Sequence, residues 1–481
     1  MLSIDWLPSK NDSVPLYRQI FLYIRNKIIT GQWPVGSKLP SQRLLAPALH
    51  VNRSTLQTAL DELIADGFLK SRIGSGITVS NNTWAEYTAE HPPNWNSYLS
   101  SGTYLSNIPV IQQINQREFD KNIIRLGTGE LAPDLLPSQQ LRHIIQSSAS
   151  RIKSFGYQEP RGLPELRQEI SRHLQRYGIE TAPSGILVVS GALQALQLIC
   201  FGLLSSDDYM FVERPSYLLS LKLFRSLHLH FSELPVEHDG LSIDALRQQQ
   251  RQHRHSLLYT IPTFHNPTGT LMPLTRRQEL LQLCRELRLP ILEDDVYRDL
   301  WIDKEPPPPL KALDTAGSVL YVSSLSKSIG PGLRIGWIVG PEPIIEKLAD
   351  LKMQHDYGCS TLSQQVAAEW LSGGYEEDHL CCLRKNLRLR RNLTNTLLHK
   401  HFANLADWDL PLGGFYIWLR FKSPLSMHRL FHAALAKHIL LNPGNIYDSL
   451  ASSSLRISYA YATPKELRHA IAALAEIVQT L

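Results

Sequence analysis

Apolar residues recur at every fourth position at Leu16, Ile20, Ile24 and Ile28, the spacing of one helix face, and Gly31 ends the run. Ser41, after Leu39-Pro40, is placed to cap a second predicted helix that runs towards Leu49. Asn52 is the next candidate cap, and Leu56, Ala59, Leu60 and Leu63 give a third helix its apolar face before Gly67 closes it. Phe68-Leu69-Lys70-Ser71-Arg72 and Ile77-Thr78-Val79 then read as two short strands around the turn Ile73-Gly74-Ser75-Gly76. Three helices and such a wing would set the N-terminal residues of the third helix nearest the base edges of a DNA major groove. That helix offers Arg53, Ser54, Thr55 and Gln57 there, and Arg43 at the start of the second helix can meet a phosphate or a guanine edge. A helical hairpin with solvated arginines fits the same pattern.

After residue 80 the pattern changes. Residues 81–120, with Pro92-Pro93 and several Asn and Ser, show no sustained period and read as a linker. From 121 to 481, short apolar runs alternate with amphipathic stretches: Leu187-Val188-Val189, Tyr209-Met210-Phe211-Val212, Leu257-Leu258-Tyr259, Ile291-Leu292 and Val319-Leu320-Tyr321-Val322. Runs without a polar face fit buried strands of a mainly parallel α/β sheet. The proline run Pro306–Pro309 reads as a rigid surface loop.

Composition adds little until it is localised. The net charge of +5 over 481 residues is mild, but residues 1–80 hold nine Lys/Arg against five Asp/Glu, so most of the excess lies in the helical module. Five cysteines without CxxC or CxxxC spacing suggest reduced thiols and no metal site. No apolar run approaches the ~20 residues of a membrane span. The opening residues lack a basic region followed by an apolar core. The expectation is a cytoplasmic protein without a signal peptide.

Candidate chemistry concentrates just after the buried runs. Lys327 follows Ser323-Ser324-Leu325-Ser326 and precedes Gly330-Pro331-Gly332-Leu333-Arg334. A reachable amine beside small hydroxyl residues, a glycine-rich turn and an arginine suits an imine to an aldehyde cofactor that carries a phosphate. Pyridoxal 5′-phosphate requires such a lysine, an acid for its pyridinium nitrogen and a phosphate cup. Asp294 is the candidate acid, holding the ring nitrogen protonated by its opposite charge. Tyr297 and Asn266 could donate to the phenolic oxygen, and Tyr217 could stack on the ring. Ser190-Gly191-Ala192, ahead of a predicted helix, would form the cup, completed by Ser324 and Arg334. Each fragment alone is common in turns and surface loops; their order, and their repeated position after strands, points to a ligand at the carboxyl ends of an open sheet.

The resemblances are specific. Pro15-Leu16-Tyr17-Arg18-Gln19-Ile20, Gly36-Ser37-Lys38-Leu39-Pro40-Ser41-Gln42-Arg43, Val51-Asn52-Arg53-Ser54-Thr55 and Gly74-Ser75-Gly76 resemble the GntR-type winged helix, which implies DNA contacts that include the wing residue Gly74. His50 stands where that family has a turn glycine, and Pro47 falls within the second helix, predicting a short or kinked element. Residues 122–480 resemble fold-type I aminotransferases, through Asn266, Asp294, Tyr297, Lys327 and Arg334. That resemblance implies a mainly parallel seven-stranded sheet and a smaller α+β subdomain. It also implies a carboxylate-binding role for Arg456, a substrate-site glycine at Gly127, and a tyrosine, Tyr157, that reaches the phosphate of a partner subunit.

In this order the modules are similar to the MocR subfamily of GntR regulators. The implied protein is a head-to-tail homodimer that binds double-stranded promoter DNA. Its signal would be pyridoxal phosphate, an amino-acid-like effector bound to it as an aldimine, or both. An aminotransferase with an accessory DNA-binding domain, and a DNA-binding protein with the second module as a dimerisation scaffold, are the competing expectations.

Overall fold

In the computed structural model the described residues are 4–10, 12–72, 76–80, 101, 106–149, 156–250, 255–451 and 453–481. The four-residue period becomes α1 (Leu16–Ile29), which buries Ile20 and Ile24 and leaves Leu16 and Ile28 half-buried. α2 (Gln42–Ala48) and α3 (Arg53–Ala65) pack on it around Trp33, Leu45, Leu56, Leu60 and Phe68. α2 has only seven residues and contains Pro47, whose missing N–H and bulky ring shorten it. Ser41 takes the cap position of α2 without a side-chain hydrogen bond, whereas the Asn52 side chain accepts from the Thr55 N–H at 2.8 Å. His50 adopts φ of 54°, the left-handed turn that glycine ordinarily supplies. β1 (Leu69–Arg72) and β2 (Gly76–Val79) pair antiparallel, with Leu69 opposite Val79. Residues 73–75, Gly74 included, lie outside the described residues.

Contacts divide the chain into two units, Met1–Thr103 and Tyr104–Leu481. The second contains α4 (Pro109–Arg117), so the stretch expected to be a linker over 81–120 includes a helix at its C-terminal end. Ile114 is buried, and Val110 and Ile111 pack beside it. Three apolar residues among Asn and Gln over two turns are too few to show a period.

β3 (Ile124–Arg125) precedes a sheet built from β4 (Ile186–Val189), β5 (Tyr209–Arg214), β6 (His230–Glu237), β7 (Gly240–Leu241), β8 (Ser256–Thr260), β9 (Ile291–Asp294), β10 (Val319–Ser324) and β11 (Gly336–Val339). The spatial order is β4-β11-β10-β9-β8-β5-β6-β7. The run β10-β9-β8-β5-β6 is parallel; β11 is antiparallel to both its neighbours. The seven strands expected are thus joined by an eighth, the two-residue β7, which folds back on β6. β4, β9, β10 and β11 are buried along their whole length, which is why the sequence shows continuous apolar runs there instead of alternation.

A smaller subdomain follows. β12 (Ala406–Asp407), β13 (Tyr416–Phe421), β15 (Asn442–Pro443) and β16 (Ser454–Ser458) form a sheet in the order β12-β13-β16-β15, while β14 (Ile439–Leu440) pairs with β3. The helix Pro464–Thr480 starts with Thr463 and Glu466 capping each other reciprocally and packs on the helix Tyr375–Phe402. The proline run is less superficial than expected: the carbonyls of Pro307 and Pro308 accept from the buried Arg298 and Arg277. No disulfide links the cysteines, of which Cys200, Cys284 and Cys359 are buried and Cys381 and Cys382 exposed. Among the described residues no helix is long and apolar enough to cross a membrane.

Candidate functional site

Strand register brings the predicted residues together. Val322 of β10 lies opposite Asp294 at the end of β9, and Tyr259 of β8 lies opposite Leu292. Paired residues share a sheet face, and alternate residues along a strand share it too, so Tyr259, Asp294, Val322 and Ser324 project to one side. The Tyr259 hydroxyl accordingly donates to Asp294 Oδ2 at 2.9 Å. Asp294 Oδ1 is buried with no partner among the described residues. Burial pushes the Asp294 carboxyl up from its ordinary 3.8 to about 6, against the lowering by Tyr259 and the Val296 N–H. Its acidic neighbours are settled differently: Glu293 accepts the N–H groups of Leu310 and Lys311, and Asp295 pairs with Arg298. Asp294 and Asp295 each keep one buried oxygen without a partner among the described residues, but Asp295 is neutralised by Arg298, whereas Asp294 has no ion pair and lines the cavity described below.

Lys327, three residues beyond β10, donates from Nζ to the Gly129 carbonyl at 2.6 Å and lies 5.9 Å from the centre of the Tyr297 ring. A network continues from that ring. Asn266 Nδ2 donates to the Tyr297 hydroxyl at 3.3 Å, and the hydroxyls of Tyr297 and Tyr416 are 3.1 Å apart. Arg456 Nη1 donates to Asn266 Oδ1 at 2.8 Å and Nη2 to the Gly127 carbonyl at 2.6 Å. The Arg456 guanidinium sits 4.1 Å from the Tyr416 ring centre and 4.7 Å from that of Tyr447. Its Nε is buried without a partner among the described residues. Gly127 is obligatory: a Cβ there would lie 2.2 Å from Asn442 Oδ1.

The other end of the site is a turn between β4 and the helix α5 (Ala192–Leu203). Arg334 takes φ of 54° and reaches the Ser190 carbonyl with Nη2 at 2.7 Å. Gly191 has φ of 86°, and a Cβ on it would lie 2.7 Å from that nitrogen. Ser324 Oγ bonds the Ile335 carbonyl at 2.8 Å and Ser326 Oγ at 2.9 Å. Of the expected cup of Ser190, Gly191 and Ala192, only Ala192 has an N–H without a partner among the described residues. The Ser190 N–H is taken by Gln194 Oε1, its hydroxyl contacts Cys359 Sγ, and the Gly191 N–H goes to the Val189 carbonyl. Ala192 and Leu193, the first two residues of α5, line the cavity, and their N–H groups have no partner among the described residues.

These groups surround a cavity of about 410 Å³ lined by Lys327, Asp294, Asn266, Tyr297, Tyr217, Ser324, Arg334, Arg456 and Ala192, within the ~300–1,000 Å³ of small-molecule sites. Tyr157 is not part of it; 84% exposed, its ring lies 5.1 Å from that of Tyr357. Reading the residues missed Tyr259, Tyr416, Tyr447, Gly129 and Leu193, and missed α4, which contributes Ile111, Ile114 and Asn115 to one wall, followed by Glu118. Tyrosines inside apolar runs such as Leu257-Leu258-Tyr259 carry no signal that separates them from core.

The residues present fit pyridoxal 5′-phosphate. The orphaned Asp294 Oδ1 matches a ring N–H, Lys327 matches the aldehyde, and the bare N–H groups of Ala192 and Leu193 with Arg334 match a phosphate.

In the N-terminal unit, Arg43, Arg53 and Ser54 are exposed. Ser54 Oγ donates to Asn52 Oδ1, and Gln57 is held by Gln42 and Asp61. Arg43 and Arg53 have no hydrogen bond or ion pair among the described residues, so they are the side chains most ready to meet a ligand.

Comparisons with known proteins agree with this division. Residues 16–79 match the family of bacterial regulatory proteins of the gntR type, and residues 121–474 match aminotransferase class I and II. The uncharacterized HTH-type transcriptional regulator YisV of Bacillus subtilis is 48% identical over 477 residues, 99% of each chain. NorG of Staphylococcus aureus, also an HTH-type transcriptional regulator, is 35% identical over 90% of this chain and 98% of its own. Among solved structures, an archaeal alanine:glyoxylate aminotransferase superposes with a TM-score of 0.76 at 27% identity, covering 81% of this chain and 100% of that one. Pyrococcus horikoshii kynurenine aminotransferase gives 0.74 at 29% identity, covering 78% and 95%. An aminotransferase fold of this class implies pyridoxal phosphate, and a gntR-type helix-turn-helix implies DNA binding. The chain belongs to the MocR subfamily of GntR-type transcription regulators, a winged helix-turn-helix followed by a fold-type I aminotransferase-like domain.

Proposed function

We propose that this cytoplasmic homodimer regulates transcription by binding promoter DNA through Arg43 and the N-terminal end of α3, and by sensing pyridoxal phosphate and an amino-acid-like effector in its second unit. One observation carries the reading: Asp294 Oδ1 and Arg456 Nε, both buried and both without a partner among the described residues, belong to side chains that line one cavity with Lys327. Buried polar atoms are almost always satisfied, so two in one cavity mark places that a ligand completes. When bound, the cofactor supplies an aldehyde for an amine and a cationic ring.

The chain's own residues do the rest. Asp294 holds a proton at the ring nitrogen, with Tyr259 fixing the carboxylate's orientation. Tyr297 and Asn266 orient a phenolic oxygen. Ala192, Leu193, Ser324 and Arg334 bind phosphate, and Arg456 selects a carboxylate. Tyr157 is exposed, as its role towards a second copy in a head-to-tail dimer requires.

Regulation needs only that the effector favour one of two conformations. α4 gives that preference a route: it walls the cavity and comes first among the described helices of the second unit. An aminotransferase reading also has support, because the chain keeps Lys327, Asp294, Asn266 and Arg456 together.

The test is a DNA-mobility assay on the chain's own promoter region with cofactor-loaded and cofactor-free protein, run beside amino-donor turnover. The proposal expects specific shifts altered by cofactor or amino acid, with negligible turnover. Steady turnover without a specific shift would favour the aminotransferase.

A further inference from the structure

The cavity also holds a carboxylate that the cofactor and its carboxylate anchor leave unused. Glu118, directly after α4, lines the same space as Lys327 and Arg456. Its carboxylate has no hydrogen bond or ion pair among the described residues. Its neighbours are otherwise engaged: Arg125 pairs with Glu130 at 2.8 Å and stacks at 4.5 Å from the Tyr461 ring centre. Lys327 donates to Gly129, and Arg456 to Asn266 and Gly127. Burial raises the Glu118 carboxyl above its ordinary range and Glu130 adds to this, while Arg125, Lys327 and Arg456 act the other way. A half-buried carboxylate in a cavity wall, with Arg125, Lys327 and Arg456 each engaged with other groups, is an unfilled place for a positive charge.

Resting on the reading of Arg456 as the carboxylate anchor, we propose that Glu118 makes this pocket selective for amino acids bearing a second cationic group: diamino monocarboxylic acids of the lysine and ornithine type. Arg456 takes the carboxylate and Glu118 takes the distal ammonium. An amino acid with a second carboxylate would place like charge against Glu118 and is excluded. The apolar Ile111 and Ile114 on α4 give the intervening methylene groups a surface to cover. The selecting residue directly follows α4, the first described helix of the second unit, so the group that distinguishes one effector from another adjoins that helix.

The experiment is calorimetric titration of the cofactor-loaded full chain with racemic lysine, ornithine, norleucine and glutamate, so that handedness does not decide the outcome. Lysine or ornithine should bind at least ~10-fold tighter than norleucine, which corresponds to about 1.4 kcal/mol, and glutamate weakest. Glu118→Gln should bring the lysine-to-norleucine ratio to within about twofold, and Glu118→Arg should turn the preference towards glutamate. A wild-type ratio near one, or a preference that survives Glu118→Gln, overturns the role of Glu118 and leaves the effector reading intact. If none of the four amino acids binds a protein that demonstrably carries cofactor, the effector reading itself fails and takes this inference with it.

Discussion

Asp294→Asn tests the electrostatics of the site most sharply, because the substitution nearly preserves shape while it removes the titratable charge and exchanges one acceptor oxygen for an NH2 donor. The Asp294 carboxyl is 3% exposed, and its pKa is raised by burial from 3.8 to about 6. A raised acid pKa means that the folded chain holds the proton more tightly than the unfolded chain. The associated stability is therefore fully present below about pH 4 and lost as the pH rises through about 6. About two pKa units at 1.36 kcal/mol each amount to ~3 kcal/mol over that window, of which about half falls between about pH 5 and about pH 8. No discount for solvent screening applies to a group this buried. The assay is urea unfolding of the cofactor-free protein across this range, followed by fluorescence of buried tryptophans such as Trp337 and Trp370. Glu293, also raised by burial, contributes a slope of its own, so the relevant quantity is the difference between wild type and Asp294→Asn. The variant should gain on wild type as pH rises, by about 1–2 kcal/mol between about pH 5 and about pH 8, and should bind pyridoxal phosphate at least ~10-fold more weakly. Parallel pH profiles, or unchanged cofactor affinity, would refute the reasoning.

Three further outcomes are expected. Arg53→Ala should weaken binding to a specific operator by about 1–3 kcal/mol if Arg53 reads a base edge, measured by fluorescence anisotropy at fixed salt; a loss shared equally with random DNA would assign it to phosphate instead. His50→Gly should stabilise the N-terminal unit by about 1 kcal/mol in thermal unfolding, since φ of 54° strains any residue with a Cβ; destabilisation would contradict the left-handed turn. Arg456→Lys should lower affinity for amino acids with a carboxylate by ~10-fold or more, because the fork to Asn266 and Gly127 is lost, while cofactor retention survives. An amine without a carboxylate should bind the variant and wild type alike.

Much of this architecture is visible in the residue pattern, for identifiable reasons. α1 and α3 are long enough to repeat their apolar period, and Asn52 announces its own helix. Lys327, Asp294 and Asn266 are polar residues set directly after apolar runs, so they stand out. What escaped has the opposite character. α4 is two turns of mixed composition whose apolar face becomes meaningful only once a wall exists to be completed. Tyr259, Tyr416 and Tyr447 lie in apolar surroundings, and only their hydroxyl or ring contacts with Asp294 and Arg456 set them apart from core residues. At the Ser190 turn, local hydrogen bonds to Gln194 and Val189 occupy the N–H groups of Ser190 and Gly191 and leave those of Ala192, which was expected, and Leu193, which was not, without a partner among the described residues. Competition of that kind between neighbouring groups leaves no mark on residue identity.

The central claim is that Lys327 carries the cofactor. Borohydride reduction of protein incubated with pyridoxal phosphate, followed by peptide mass spectrometry, tests it directly. The account predicts one pyridoxyl adduct per chain, on the peptide containing Lys327, and none in Lys327→Ala. An adduct on another lysine, or labelling that persists undiminished in Lys327→Ala, would contradict it.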